Sequence, residues 1–170
     1  MSILMVIKNT PVWVWVLLVF LVFRGIKALD DREMHPSRLF LLPILFFIWA
    51  VYSVLHETVF QVSALLALIV GILAGIAIGW KLWNSQPRLR QKPESDLIIR
   101  QGTPLTLILI LIIFCVKFIL SAMIAIHPLL MHSLSFNLLF GFVGGLSDGI
   151  FWGGMLNLFV PYYKDKQKNV

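Results

Sequence analysis

The stretch GFVGGLSDGIFWGGMLN, Gly141 to Asn157, decides the fold class. It reads as part of a membrane-crossing helix with glycine at Gly141, Gly145, Gly149 and Gly153 and one carboxylate, Asp148, among them. Four-residue spacing lines small residues along one slowly turning ridge. A second helix backbone can then come close, in a medium where lipid supplies no hydrophobic drive for association. Ser63, Ala67, Gly71, Gly75 and Gly79 repeat the pattern upstream. Two such ridges predict close helix packing. On the sequence alone they meet either within one chain or between two copies, and GxxxG spacing carries no chemistry of its own.

Outward from that stretch, the chain is 59% hydrophobic and only 13% charged, with a mean hydropathy of +0.92. That balance is far from a soluble domain and predicts a polytopic membrane protein. About 30 Å of hydrocarbon takes on the order of 20 helical residues. Five runs meet this length, near residues 10–29, 37–55, 59–80, 104–126 and 136–159. The expectation is an all-α bundle of five transmembrane helices in one integral-membrane domain over residues 1–170. Asn9, Thr10 and Pro11 mark the start of the first helix, and Thr103 with Pro104 that of the fourth. Pro43 is expected to kink the second. The N-terminus lacks the initial basic cluster of a signal peptide and continues into Arg24 and Lys27, so the first helix is expected to be retained.

The net charge of +6 does not point to nucleic acid, because the cations sit beside apolar runs. Twelve of the 14 Lys and Arg residues fall in the first and third connections and the tail, with Lys8 on the other side and Lys117 inside a helix. The positive-inside rule then puts the N-terminus outside and the C-terminus in the cytoplasm of a cell inner membrane. Trp13, Trp15, Trp49 and Tyr52 are expected at the outer interface, and Trp80, Trp83, Tyr162 and Tyr163 at the inner one. The third connection, Gln86 to Gly102, has two partly alternating pieces around KPES and predicts a small cytoplasmic hairpin. This basic loop either binds anionic headgroups or a partner, or only sets topology. Cys115 is the one cysteine, so neither an internal disulfide nor a thiolate cluster can form.

Lys117 and Asp148 are the ionisable residues farthest from any expected helix end, roughly 14 and 18 Å below the outer one. Each costs about 2.5 to 3.5 kcal/mol at mid-bilayer on insertion scales. A facing pair, or a shared wet cavity, is therefore expected. Asn137, Gly141, Gly144 and Asp148 share one face, with Phe151, Trp152 and Met155 below it, and Ser121 lies one turn above Lys117. That pattern suits a cleft open outward and closed inward, which makes these residues candidates for a substrate or ion path. Equally, the two charges can serve only to fix helix register.

His56, Glu57, His127 and His132 fall at the expected outer ends. They are competent ligands for zinc, copper or haem iron, and also ordinary interface residues. No phosphate-binding loop, HExxH, nucleophile elbow or paired acidic motif occurs, so no enzyme is expected.

With five short-looped helices, one basic hairpin and a glycine-rich last helix, the chain resembles small bacterial inner-membrane proteins grouped as families of unknown function. That resemblance implies an inner-membrane location and transfers no functional residue. Three functional readings follow. The first is a small transport or permeation component with a Lys117 and Asp148 pair, leaning toward a homo-oligomer. The second is a noncatalytic partner of another membrane protein, docking through the glycine ridges or the hairpin. The third is an outer-face metal or haem binder.

Overall fold

Gly75 and Gly149 bring two helix backbones into contact, since a methyl group on Gly75 would stand 2.8 Å from Gly149 Cα. The computed structural model describes residues 12–92 and 95–168. It builds this contact from α3 (Gln61–Trp83) and α5 (Leu134–Lys168). Gly141 meets Ala64, Gly145 meets Leu68, Gly149 meets Ile72 and Gly153 meets Ile76, so the two helices run parallel and in step. In return Gly71, Gly75 and Gly79 face the carbonyls of Phe142, Leu146 and Ile150. Glycine Cα atoms turned toward carbonyls suit the weak Cα–H···O contacts found at close helix crossings. The ridges therefore meet within one chain. Ser63 and Ala67 do not join them and instead line an open groove beside Leu66 and Phe142. A four-residue ridge turns by roughly 40° per step, which carries its first members off the contact face.

Four helical segments are long and apolar enough to cross a membrane among the described residues: Pro36–Glu57, Gln61–Trp83, Pro104–Ile126 and Leu134–Asp165. The first expected helix differs. Its described part, α1 (Val12–Ile26), has 15 residues, about 22 Å of helix. It ends in tightened turns, Ala28 N–H to Gly25 O and Leu29 N–H to Ile26 O, both 3.0 Å. The expected start at Asn9, Thr10 and Pro11 lies outside the described residues.

The second segment opens as a 3-10 turn, Pro36–Phe40, and becomes α2 at Leu41 (Leu41–Glu57). Pro43 consequently falls in the first turn of the α-helix, where its missing N–H leaves no gap, and not in the interior where a kink was expected. The fourth segment, α4 (Pro104–Ile126), starts at the expected proline. Thr103 holds the extended backbone of an N-cap, yet its side chain makes no capping hydrogen bond. A second 3-10 turn, Pro128–His132, leads into α5, which outruns the expected residues 136–159 at both ends.

The fold is not purely helical. Three short strands, β1 (Arg32–Met34), β2 (Arg90–Gln91) and β3 (Ile98–Arg100), form an antiparallel sheet with β3 in the middle. The third connection supplies β2 and β3, and the first connection supplies β1. Ile98 is fully buried beneath the sheet with Leu39, Trp83, Met155 and Leu158, so the sheet closes one end of the bundle. A middle cluster joins Leu21, Phe46, Ile110, Phe114 and Phe151 from four helices. At the far end Ala50, Leu68, Leu120, Ile124, Phe136 and Phe140 pack together. α2 contributes to both of these clusters and lies along α5, whereas α4 and α5 scarcely touch directly. On its outer side α4 carries α1, with Leu107 against Gly25.

Adjacent glycines give a test. Gly144 is buried, yet an added methyl would meet nothing within 4 Å, while on Gly145 it would lie 2.8 Å from Leu68 C and 3.0 Å from Ile72 N. Both substitutions remove the same helix penalty of about 0.5–1 kcal/mol. Gly144→Ala should therefore raise the thermal midpoint in detergent, whereas Gly145→Ala should lower it through overpacking of about 1–3 kcal/mol. Similar shifts for the two variants would contradict the packing described.

Candidate functional site

Polar side chains gather where α2, α4 and α5 come nearest. α2 ends in Glu57, whose Oε2 accepts a 2.8 Å hydrogen bond from Ser121 Oγ of α4. One turn along α4, Lys117 is 8% exposed, and its ammonium stands 4.9 Å from the centre of the Trp49 ring on α2. That distance suits a cation–π contact, worth about 2 kcal/mol or more when desolvated. Trp49, expected at the outer interface, thus covers a buried cation from within α2. It also stacks on Phe46, with ring centres 6.2 Å apart.

Between these groups is a small cavity of about 20 Å³, lined by Trp49, Ser53, Lys117, Ser121, Phe140 and Gly144 among others. Its size matches about one water molecule. The absence of a Cβ at Gly144 opens it on the α5 side. One turn on, Asp148 is fully buried, and neither carboxylate oxygen has a hydrogen-bond partner. The indole of Trp152 approaches the carboxylate without reaching hydrogen-bonding geometry. Lys117 interacts electrostatically with both Asp148 and Glu57. The expected direct contact between Lys117 and Asp148 is not formed. The backbones of α4 and α5 make few close approaches, and large side chains from α2, α4 and α5, among them Phe46, Phe114 and Phe151, pack together in the space between the helices.

The expected continuous face from Asn137 to Asp148 also divides. Gly141 belongs to the α3 contact and Gly144 to the cavity. Asn137 folds back, donating through Nδ2 to Met131 O at 2.9 Å, while its Oδ1 is buried without a partner. On the sheet side of Asp148 the way is shut by Phe46 and Phe151, whose rings stack 5.3 Å apart and 3° from parallel.

The candidate metal ligands do not converge. His56 stacks on Tyr52 at 4.0 Å and bonds through Nδ1 to Tyr52 O at 2.8 Å. His127 ends α4 and His132 ends the second 3-10 turn. Among the described residues no three of His, Cys, Asp and Glu come together as a metal site.

Two buried polar residues near the sheet escaped the sequence reading. Asn157 of α5 donates to Trp80 O at 3.1 Å and accepts from Arg88 Nη1 at 3.0 Å. It ties the third connection to the paired helices. Arg100 donates from Nη2 to Thr106 Oγ1 at 3.2 Å and from Nη1 to Met155 Sδ at 3.8 Å. The alternation of Ile98, Ile99 and Arg100 was the available signal, since it puts Arg100 on the face of the buried Ile98.

A carboxyl whose oxygens are both buried and unpaired works against the fold, typically by about 1–3 kcal/mol. Asp148→Leu should therefore raise the thermal midpoint in detergent by several degrees, at about 2–4 °C per kcal/mol for this size. Ser121→Ala, which removes a partly buried bond, should lower it slightly. A destabilised Asp148→Leu protein would mean that the carboxylate has partners here unseen.

No solved structure matches the chain. An uncharacterised protein of Pasteurella multocida (strain Pm70) is 30% identical over 74 residues, covering 44% of this chain and 54% of that protein. The match thus spans about half of the relative's length. A family model covers residues 1–166, and the chain belongs to that family, DUF6622, a family of unknown function.

Proposed function

We propose that the protein is a small transport or permeation component of a bacterial inner membrane, in which Asp148 binds a proton or a monovalent cation midway across. One observation carries this reading: a fully buried carboxylate with both oxygens free, one turn from a water-sized cavity that Lys117 also lines. Intramembrane carboxylates of this kind are costly, and they recur in ion and proton pathways. Lys117 holds a positive charge near the site and competes with the incoming cation for Asp148. Glu57 and Ser121 stand at one entrance, and the Phe46 and Phe151 stack closes the other. The arrangement corresponds to an occluded state of such a pathway.

In this reading the sheet end faces the cytoplasm, because the basic connections and tail lie there. α1 belongs to a fifth span in this reading. A bundle this small lacks the inverted repeats of monomeric carriers, so the working unit is an oligomer. The glycine ridges occupy each other within the chain, which leaves them unable to serve as docking faces for another membrane protein.

Reconstitution into liposomes tests the proposal. Under an imposed potential, proton-sensitive and sodium-sensitive dyes inside the vesicles should report flux with the natural protein. Asp148→Asn should reduce that flux to the level of empty liposomes while inserting normally, and Phe151→Ala should increase it by opening the stacked pair. Flux unchanged in Asp148→Asn would reject this function.

A further inference from the structure

Four arginines from four different elements converge at the sheet end. Arg32 of β1 and Arg100 of β3 are directly opposed in the antiparallel register, so their side chains leave the same face of the sheet. Like charges in that position destabilise a strand pair. Arg100 is 7% exposed, and among the described residues its guanidinium bonds to the neutral groups of Thr106 and Met155. Arg24, in the last turn of α1, has its Nε buried without a partner. Arg38, in the 3-10 turn before α2, is exposed and acts electrostatically on Arg24.

Two neighbouring carboxylates are engaged elsewhere. Asp31 accepts the Gly102 N–H at 2.8 Å, and Glu33, on the other face of β1, pairs with Lys92 at 2.7 Å. Neither Asp31 nor Glu33 forms an ion pair or hydrogen bond with any of the four arginines. Burial, followed by the charges of Arg32 and Arg24, pushes the Arg100 guanidinium down to about 10. A cationic group lowered in this way costs the folded state stability at all pH values below about 10, and the cost falls only as pH rises through that value. An anion bound beside it would remove much of that cost.

Exposure grades across the cluster, from exposed Arg38 through half-buried Arg24 and Arg32 to buried Arg100. The cluster lies level with the ends of the apolar helices at Ile26, Leu41 and Pro104. Planar guanidinium forks match the oxygens of phosphate in two-point contacts. We propose that Arg24, Arg32, Arg38 and Arg100 form a phosphate-binding site, supplied either by the headgroup of an anionic phospholipid or by free phosphate.

The experiment uses the delipidated full chain in neutral detergent and follows the thermal midpoint and native mass spectra. Its arms are phosphatidylglycerol, phosphatidylcholine, inorganic phosphate, and sodium chloride at matched ionic strength. A midpoint raised by phosphatidylglycerol over phosphatidylcholine, with a retained lipid adduct, supports a headgroup site. A midpoint raised by inorganic phosphate beyond chloride supports a free-anion site. In either case Arg32→Gln and Arg38→Gln, which touch less of the core than Arg100, should raise the half-saturating concentration at least tenfold, with Lys81→Gln as an unaffected control. Equal effects of all the anions, equal effects of the two lipids without any phosphate effect, or undiminished binding in both arginine variants would overturn the proposal.

Discussion

Backbone contact between α3 and α5 constrains everything else in this bundle. In lipid, two helices gain little from burying apolar side chains, so association depends on how closely the backbones approach. Seven glycines, Gly71, Gly75 and Gly79 on one side and Gly141, Gly145, Gly149 and Gly153 on the other, remove the side chains that would separate them. Carbonyls of each helix then rest on the Cα atoms of the other. Nothing can be inserted between them, and the other helices have to pack around this pair.

That exclusion explains where the polar residues lie. α2 takes the open flank of α5 and fills the space toward α4 with Phe46, Trp49 and Ala50. Lys117 lines a small cavity and Asp148 lies one turn of α5 beyond it, close enough for each to feel the other's charge without forming a bond. An aromatic face covers the cation, while the carboxylate has no comparable partner. A bundle selected for stability alone would have joined these charges or replaced them.

The sequence made the long apolar helices legible, because hydropathy and length follow directly from the thickness of the hydrocarbon layer. It was less informative about their ends. α5 continues to Lys168 because a polar tail can remain helical once its apolar part is anchored. β1 was invisible, since three residues in a charged turn carry no periodicity and become a strand only when β3 offers an edge. The position of Lys117 relative to Asp148 could be read in depth but not in azimuth. Depth needs only counting along a helix, whereas azimuth depends on which helix occupies the space between. Arg100 was hidden for a related reason, because a cation in a loop looks solvated until the fold closes over it.

Parallel pairing of α3 with α5 has a bearing on biogenesis. The α4 segment has to be threaded and turned back before the last helix exists, so a nascent chain halted ahead of Leu134 presents a bare furrow along α3 to the bilayer. Its proper occupant is made only after α4. Assembly of the pair thereby waits for synthesis of α5, and a product truncated ahead of it leaves that furrow uncovered.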